Sequence, residues 1–82
     1  MIDESRKYLL RDLVKKRAPE SLGVAEAFLS GATLTDVETE LLIGLIHAEF
    51  MAEGINPDFS PTTLGNELEA LLDDVNRGRL RR

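Results

Sequence analysis

The chain reads as all-α: a compact four-helix domain with a central apolar third helix. Three observations predict this. Apolar residues recur at helical spacing in four separate segments, helix start and stop signals punctuate those segments, and no stretch sustains the alternation of a strand. The 82 residues suit one domain. A chain of that size buries roughly 60–65% of the surface its unfolded form exposes, so its stability amounts to a few kcal/mol. Residues 1–78 are assigned to a single helical domain and 79–82 to a basic tail.

In the first segment Ile2, Leu9, Leu10, Leu13 and Val14 fall within an arc of about 140° at ~100° per residue, with Lys7, Arg11, Lys15 and Lys16 outside it. One face packs and the other is a largely basic exterior on which Tyr8 is expected to be exposed. Pro19 suits the first turn of a second, shorter helix, where its missing N–H has no helical partner to lose. Val24, Phe28 and Leu29 supply that helix's apolar side, and Gly31 stands where a left-handed residue ends it.

Thr35-Asp36-Val37-Glu38 spells a capping box, in which hydroxyl and carboxylate each satisfy the other residue's backbone N–H. The third helix that it opens carries apolar residues widely round its surface. Val37, Leu41, Leu45, Ala48 and Ala52 lie on one side and Leu42, Ile46 and Phe50 on another, which predicts a helix contacted by all the others. Gly54 is expected as the left-handed residue after it, with Ile55 folded back on Phe50. Phe59-Ser60-Pro61 predicts a fourth helix that begins at Pro61, capped by Ser60, with Leu64 stapled to Phe59. Its stripe is Leu64, Leu68, Leu71, Leu72 and Val75, about 100° wide, and it is expected to fray near Gly78.

Charge is segregated along the chain. Residues 1–17 carry six cations and three carboxylates, residues 18–76 carry twelve carboxylates and no Lys or Arg, and residues 77–82 carry four arginines, for a net charge of −5. A cation-free acidic body attracts basic partners and repels nucleic acid and anionic membranes, through a field that reaches about a Debye length of ~8–10 Å. The absence of Cys excludes disulfides and thiolate metal sites. No apolar run approaches the ~20 residues of a membrane span, and Met1-Ile2-Asp3-Glu4 lacks the order of a signal peptide. A cytoplasmic protein is expected.

The carboxylates of the fourth helix are the leading candidate site. Glu69 and Asp73 stand four residues apart, with Glu67 and Asp74 on the opposite flank and no cation before Arg77. Repulsion in a four-residue pair costs an isolated helix roughly 0.2–0.5 kcal/mol, and Glu49, Glu53 and Asp58 extend the patch. The bland alternative is a solvated face. His47, near Glu40 and Met51, has no second His and no carboxylate at ligand spacing, so a partly buried structural role is expected rather than metal binding. The segment from the second helix to the third has the outline of a helix-turn-helix, but Asp36, Glu38 and Glu40 would face the polyanion. One His, no Cys, and Asp73 and Asp74 about 100° apart on a helix leave no catalytic constellation, so neither an enzyme nor a cofactor is expected.

Glu53-Gly54-Ile55-Asn56-Pro57-Asp58 followed by Leu64-Gly65-Asn66-Glu67-Leu68-Glu69-Ala70-Leu71-Leu72-Asp73-Asp74-Val75-Asn76 resembles the C-terminal half of small helical immunity proteins of bacterial polymorphic-toxin systems, the MafI-like type. The match covers under a third of the chain, with Leu64 where that pattern has an aromatic residue. The resemblance implies stoichiometric binding of a toxin rather than turnover, and an acidic helical face can occlude a basic surface with electrostatically steered association.

The reading is therefore an acidic, immunity-like protein-binding module for a basic partner, with Glu53, Asp58, Glu67, Glu69, Asp73 and Asp74 as binding residues. Two alternatives belong to other classes. One is a nucleic-acid accessory protein using the basic first helix and the arginine tail, or these cations instead lie against the acidic body and neutralise it. The other is a homo-oligomer paired through surplus apolar surface on the third helix, where Ile43 and Met51 lie off the main stripe.

Overall fold

Four α-helices and one 3-10 turn account for the secondary structure of the computed structural model, which describes residues 4–58, 60 and 62–80, with side chains through Arg77. Helix α1 spans Glu4–Arg17, a 3-10 turn spans Pro19–Ser21, and α2 spans Leu22–Leu29. Helices α3 (Asp36–Glu53) and α4 (Thr63–Leu80) are the long pair. The all-α, four-helix class predicted from periodicity is the observed one. The Cα radius of gyration of 12.2 Å matches the ~12 Å expected of a compact domain of this length.

Each boundary follows from local chemistry. Pro19 opens the 3-10 turn rather than the α-helix, which starts three residues later. Gly31 adopts φ +89°, so a Cβ would be strained there. The Gly31 N–H donates to the Phe28 carbonyl at 3.1 Å and the Ala32 N–H to the Ala27 carbonyl at 3.0 Å, which together make a Schellman ending. The capping box is present as spelled: the Glu38 N–H donates to Thr35 Oγ1 at 3.1 Å and the Thr35 N–H to Glu38 Oε1 at 2.9 Å.

Two boundaries depart from expectation. Gly54 is the C-cap of α3 with right-handed φ −96°, so Gly54-Ile55 makes no left-handed ending. Its small size serves a close approach instead. Gly54 and Gly65 bring the end of α3 against the start of α4 backbone to backbone, and a Cβ on Gly65 would collide with the Gly54 carbonyl oxygen. Helix α4 begins at Thr63, not Pro61, with Thr62 as its cap: Thr62 Oγ1 accepts from the Gly65 N–H at 2.9 Å. The Thr62 N–H in turn donates to the Gly54 carbonyl at 2.9 Å, which locks the two helix ends together. Ser60 is engaged inside the loop, donating from Oγ to Asp58 Oδ1 at 2.6 Å. Ile2, Phe59 and Pro61, and with them the expected staple, lie outside the described residues. Helix α4 continues to Leu80, past Gly78.

The core draws on every helix. Leu10, Leu13 and Val14 of α1 and Leu68, Leu71 and Val75 of α4 are buried as their stripes predicted, and Ala25 of α2 joins them in the core. From α3 Leu42 and Ile46 are fully buried, with Ile43, Leu45 and Phe50 packed beside them. Helix α3 does contact α1, α2 and α4, yet of its other expected apolar side Val37, Leu41, Ala48 and Ala52 stay exposed, with Met51 exposed beside them, and only Leu45 turns toward the core. The bulkier side is the buried one, because area removed from water sets the gain at about 25 cal/mol per Å². Ile43, expected as surplus surface, is therefore half-buried. Two polar residues share the inner face, Thr39, whose hydroxyl donates to the Thr35 carbonyl at 3.0 Å, and Glu49, which α1 neutralises.

Candidate partner-binding face

The cations of α1 determine which carboxylates remain available. Sequence position puts Lys16 and Arg17 in the last turn of α1, where cations also complement the helix dipole. Both reach Glu49 of α3: Lys16 Nζ donates to Oε2 at 2.9 Å and Arg17 Nε to Oε1 at 2.8 Å. Glu49 is 5% exposed. Burial works to raise its carboxyl, and the hydrogen bonds from Lys16 and Arg17 outweigh it, holding the pKa below the ordinary range. Glu49 therefore does not extend an outer acidic patch; it ties α1 to α3.

Arg6, one helix length away, takes the inner flank of α4. Its Nη1 donates to Asp74 Oδ2 at 3.1 Å, and its Nε stands 3.4 Å from Glu67 Oε2. The carboxylates of Glu67 and Asp74, seven residues apart and so on one side of the helix, thus converge on a single guanidinium. Arg11 grips Glu26 of α2 through two bonds of 2.7 and 3.2 Å, and Lys7 lies 3.8 Å from Glu4. Of the six α1 cations only Lys15 is without an ion pair among the described residues. Segregation along the sequence becomes neutralisation in space wherever α1 touches the body.

The other expected site residues fall into separate places. Glu69 and Asp73 are exposed on the flank of α4 turned away from Arg6, four residues apart, with no cation partner among the described residues. Glu53 is exposed at the end of α3. Asp58 is exposed but held by its own loop: it accepts from Ser60 Oγ at 2.6 Å and from the Ser60 N–H at 3.1 Å. The Ser60 hydroxyl and amide hold its carboxyl below the ordinary range.

His47 is exposed rather than partly buried, because α3 is rotated to put Ile46 inside. Tyr8 is 62% exposed, as expected. Among the described residues no group of His, Cys, Asp and Glu is placed to hold a metal, and no helix is long and apolar enough to cross a membrane. Arg81, Arg82 and the side chain of Arg79 lie outside the described residues. Sequence reasoning missed Glu49 as the hub of the α1–α3 contact. The signal was present: positions 39, 42, 46 and 49 share one helical face, and a carboxylate there needs a cation from elsewhere. Comparison with family models, curated proteins and solved structures finds no match to this chain.

Proposed function

We propose that this chain is a non-catalytic protein-binding domain for a cationic partner, of the immunity type that residues 53–76 resemble, with Glu69 and Asp73 of α4 as its charged contacts. One observation carries the reading. Arg6 bonds Asp74 and stands beside Glu67 on one flank of α4, offsetting one of their two charges, while Glu69 and Asp73 are exposed on the other flank with no cation partner among the described residues. Exposed charge of one sign accelerates association with an oppositely charged surface and fixes its register. The binding set narrows accordingly from the six residues read in the sequence to the α4 pair, with Glu53 at its periphery.

The competing nucleic-acid reading loses support on the α1 side, since a cation already held by a carboxylate releases fewer counterions from a phosphate backbone. The test is calorimetric titration with the protein encoded by the adjacent reading frame, at low and at high salt. Expected is a salt-sensitive affinity that falls about tenfold or more in Glu69→Lys/Asp73→Lys. Unchanged affinity of that variant at low salt removes the α4 face from the mechanism.

A further inference from the structure

The outer face of α3 is the largest feature that the acidic-face reading leaves unused. Val37 is 80% exposed, Leu41 37% and Met51 60%, and Gly44 and Ala48 between them are exposed too. These five positions are spaced four, three, four and three residues apart, which is the spacing of the seam of a two-helix coiled coil. At ~100° per residue they occupy an arc of about 80° opposite Ile46, and run about 21 Å along the helix. Single exposed apolar residues are ordinary, whereas a continuous stripe marks a contact surface.

We infer that this stripe is the interface between two copies of the chain, which pair α3 against α3 antiparallel about a two-fold axis crossing midway between Leu41 and Gly44. The occupant follows from self-complementarity. In this register Leu41 packs over the partner's Gly44 and Val37 over the partner's Ala48, and symmetry repeats both contacts, so in these four layers a bulky side chain meets a small one, while Met51 lies at either end, beyond the paired layers. Gly44 has nothing within 4 Å of where a Cβ would stand, which leaves room for Leu41 of the partner subunit.

Charge supports the same register. Glu40 and His47, both exposed, flank the stripe on one side, seven residues apart. Antiparallel pairing sets Glu40 opposite the partner's His47 and His47 opposite the partner's Glu40. On the other side Glu38 faces the partner's Leu45. No two carboxylates flanking the stripe stand opposite each other, although α3 carries five acidic residues and no Lys or Arg. A parallel pair would stack Leu41 on Leu41 and Gly44 on Gly44, and the helix separation set by the leucines would leave a void at the glycines. This surface is separate from the Glu69 and Asp73 face, so the two readings stand or fall independently.

The test is sedimentation equilibrium of the full chain across a concentration series. A monomer–dimer equilibrium is expected, with Gly44→Lys weakening it by about a hundredfold or more. That variant leaves the monomer intact, because position 44 is open in it, and far-UV circular dichroism checks this. A chain that stays monomeric into the millimolar range, or a dimer indifferent to Gly44→Lys, overturns the proposal. Register is read by cross-linking, since the chain has no cysteine of its own. Positions 37 and 48 lie about 16 Å apart along one helix, too far to bridge within a chain. Val37→Cys/Ala48→Cys is expected to oxidise to a covalent dimer, while Val37→Cys alone does not. Failure of the double variant, or efficient cross-linking of the single one, overturns the antiparallel pairing.

Discussion

Glu49 illustrates how one residue's environment turns a surface-type side chain into a structural one. A carboxylate 5% exposed is tolerable only because Lys16 and Arg17 both donate to it. The cost of breaking this cluster is asymmetric. Glu49→Gln leaves two cations that can turn back to water and is expected to cost about 1 kcal/mol. Lys16→Met/Arg17→Met strands the buried carboxylate and is expected to cost about 3 kcal/mol. Urea titrations of both variants measure the difference. The same cluster gives a pH signature. The folded pKa of Glu49 is depressed below its ordinary 4.5, so between those two values the unfolded chain binds more protons and stability rises with pH. Its contribution is full above pH 4.5 and is lost as pH falls through the folded value. Urea midpoints followed from about pH 6 to pH 3 should therefore fall more steeply for the wild type than for Glu49→Gln.

At the scale of the element, the join between α3 and α4 is the most constrained in the chain. Two glycines meet there, and neither is required by a left-handed φ; both are required by backbone proximity. Gly65→Ala drives a methyl group into the Gly54 carbonyl, which cannot relax as a side chain would, and is expected to cost about 2–3 kcal/mol. The cap of α4 offers a second test. Thr62 accepts the Gly65 N–H while Ser60 bonds only within its loop, so Thr62→Ala should cost about 1 kcal/mol and Ser60→Ala distinctly less. Equal losses in thermal melts would return the cap to Ser60, where the sequence motif first placed it.

For the whole molecule, a core assembled from all four helices leaves no subset that buries a core by itself. Leu10, Leu13 and Val14 of α1 complete the cluster formed by Leu42, Ile46, Leu68 and Leu71, and the Glu49 and Arg6 ion pairs add polar ties from both ends of α1. Unfolding should therefore be a single transition, with far-UV circular dichroism and amide hydrogen exchange of α1 and α4 reporting the same midpoint. An early loss of protection confined to α1 would show instead that its docking is a separate step. The ion pairs of α1 also reshape the outer field. They offset part of the negative charge on the α1 side of α4, whereas Glu69 and Asp73 are exposed on the side away from α1 with no cation partner among the described residues.

Much of this protein was legible one residue type at a time. Helical class, the Thr35 capping box, the Gly31 ending and the stripes of α1 and α4 depend on chemistry within a few residues, and the sequence by itself determined them. Which side of α3 goes inward was not decided locally, because apolar residues surround that helix and only competition for buried area chose Leu42 and Ile46 over Val37 and Leu41. The candidate site divided along the same line. The acidity of α4 was evident from composition, but that Arg6 would claim Glu67 and Asp74, and leave Glu69 and Asp73 to solvent, required α1 to be set against α4. Long-range electrostatic pairing depends on distances between elements far apart in the chain, and those distances exist only once the core has packed.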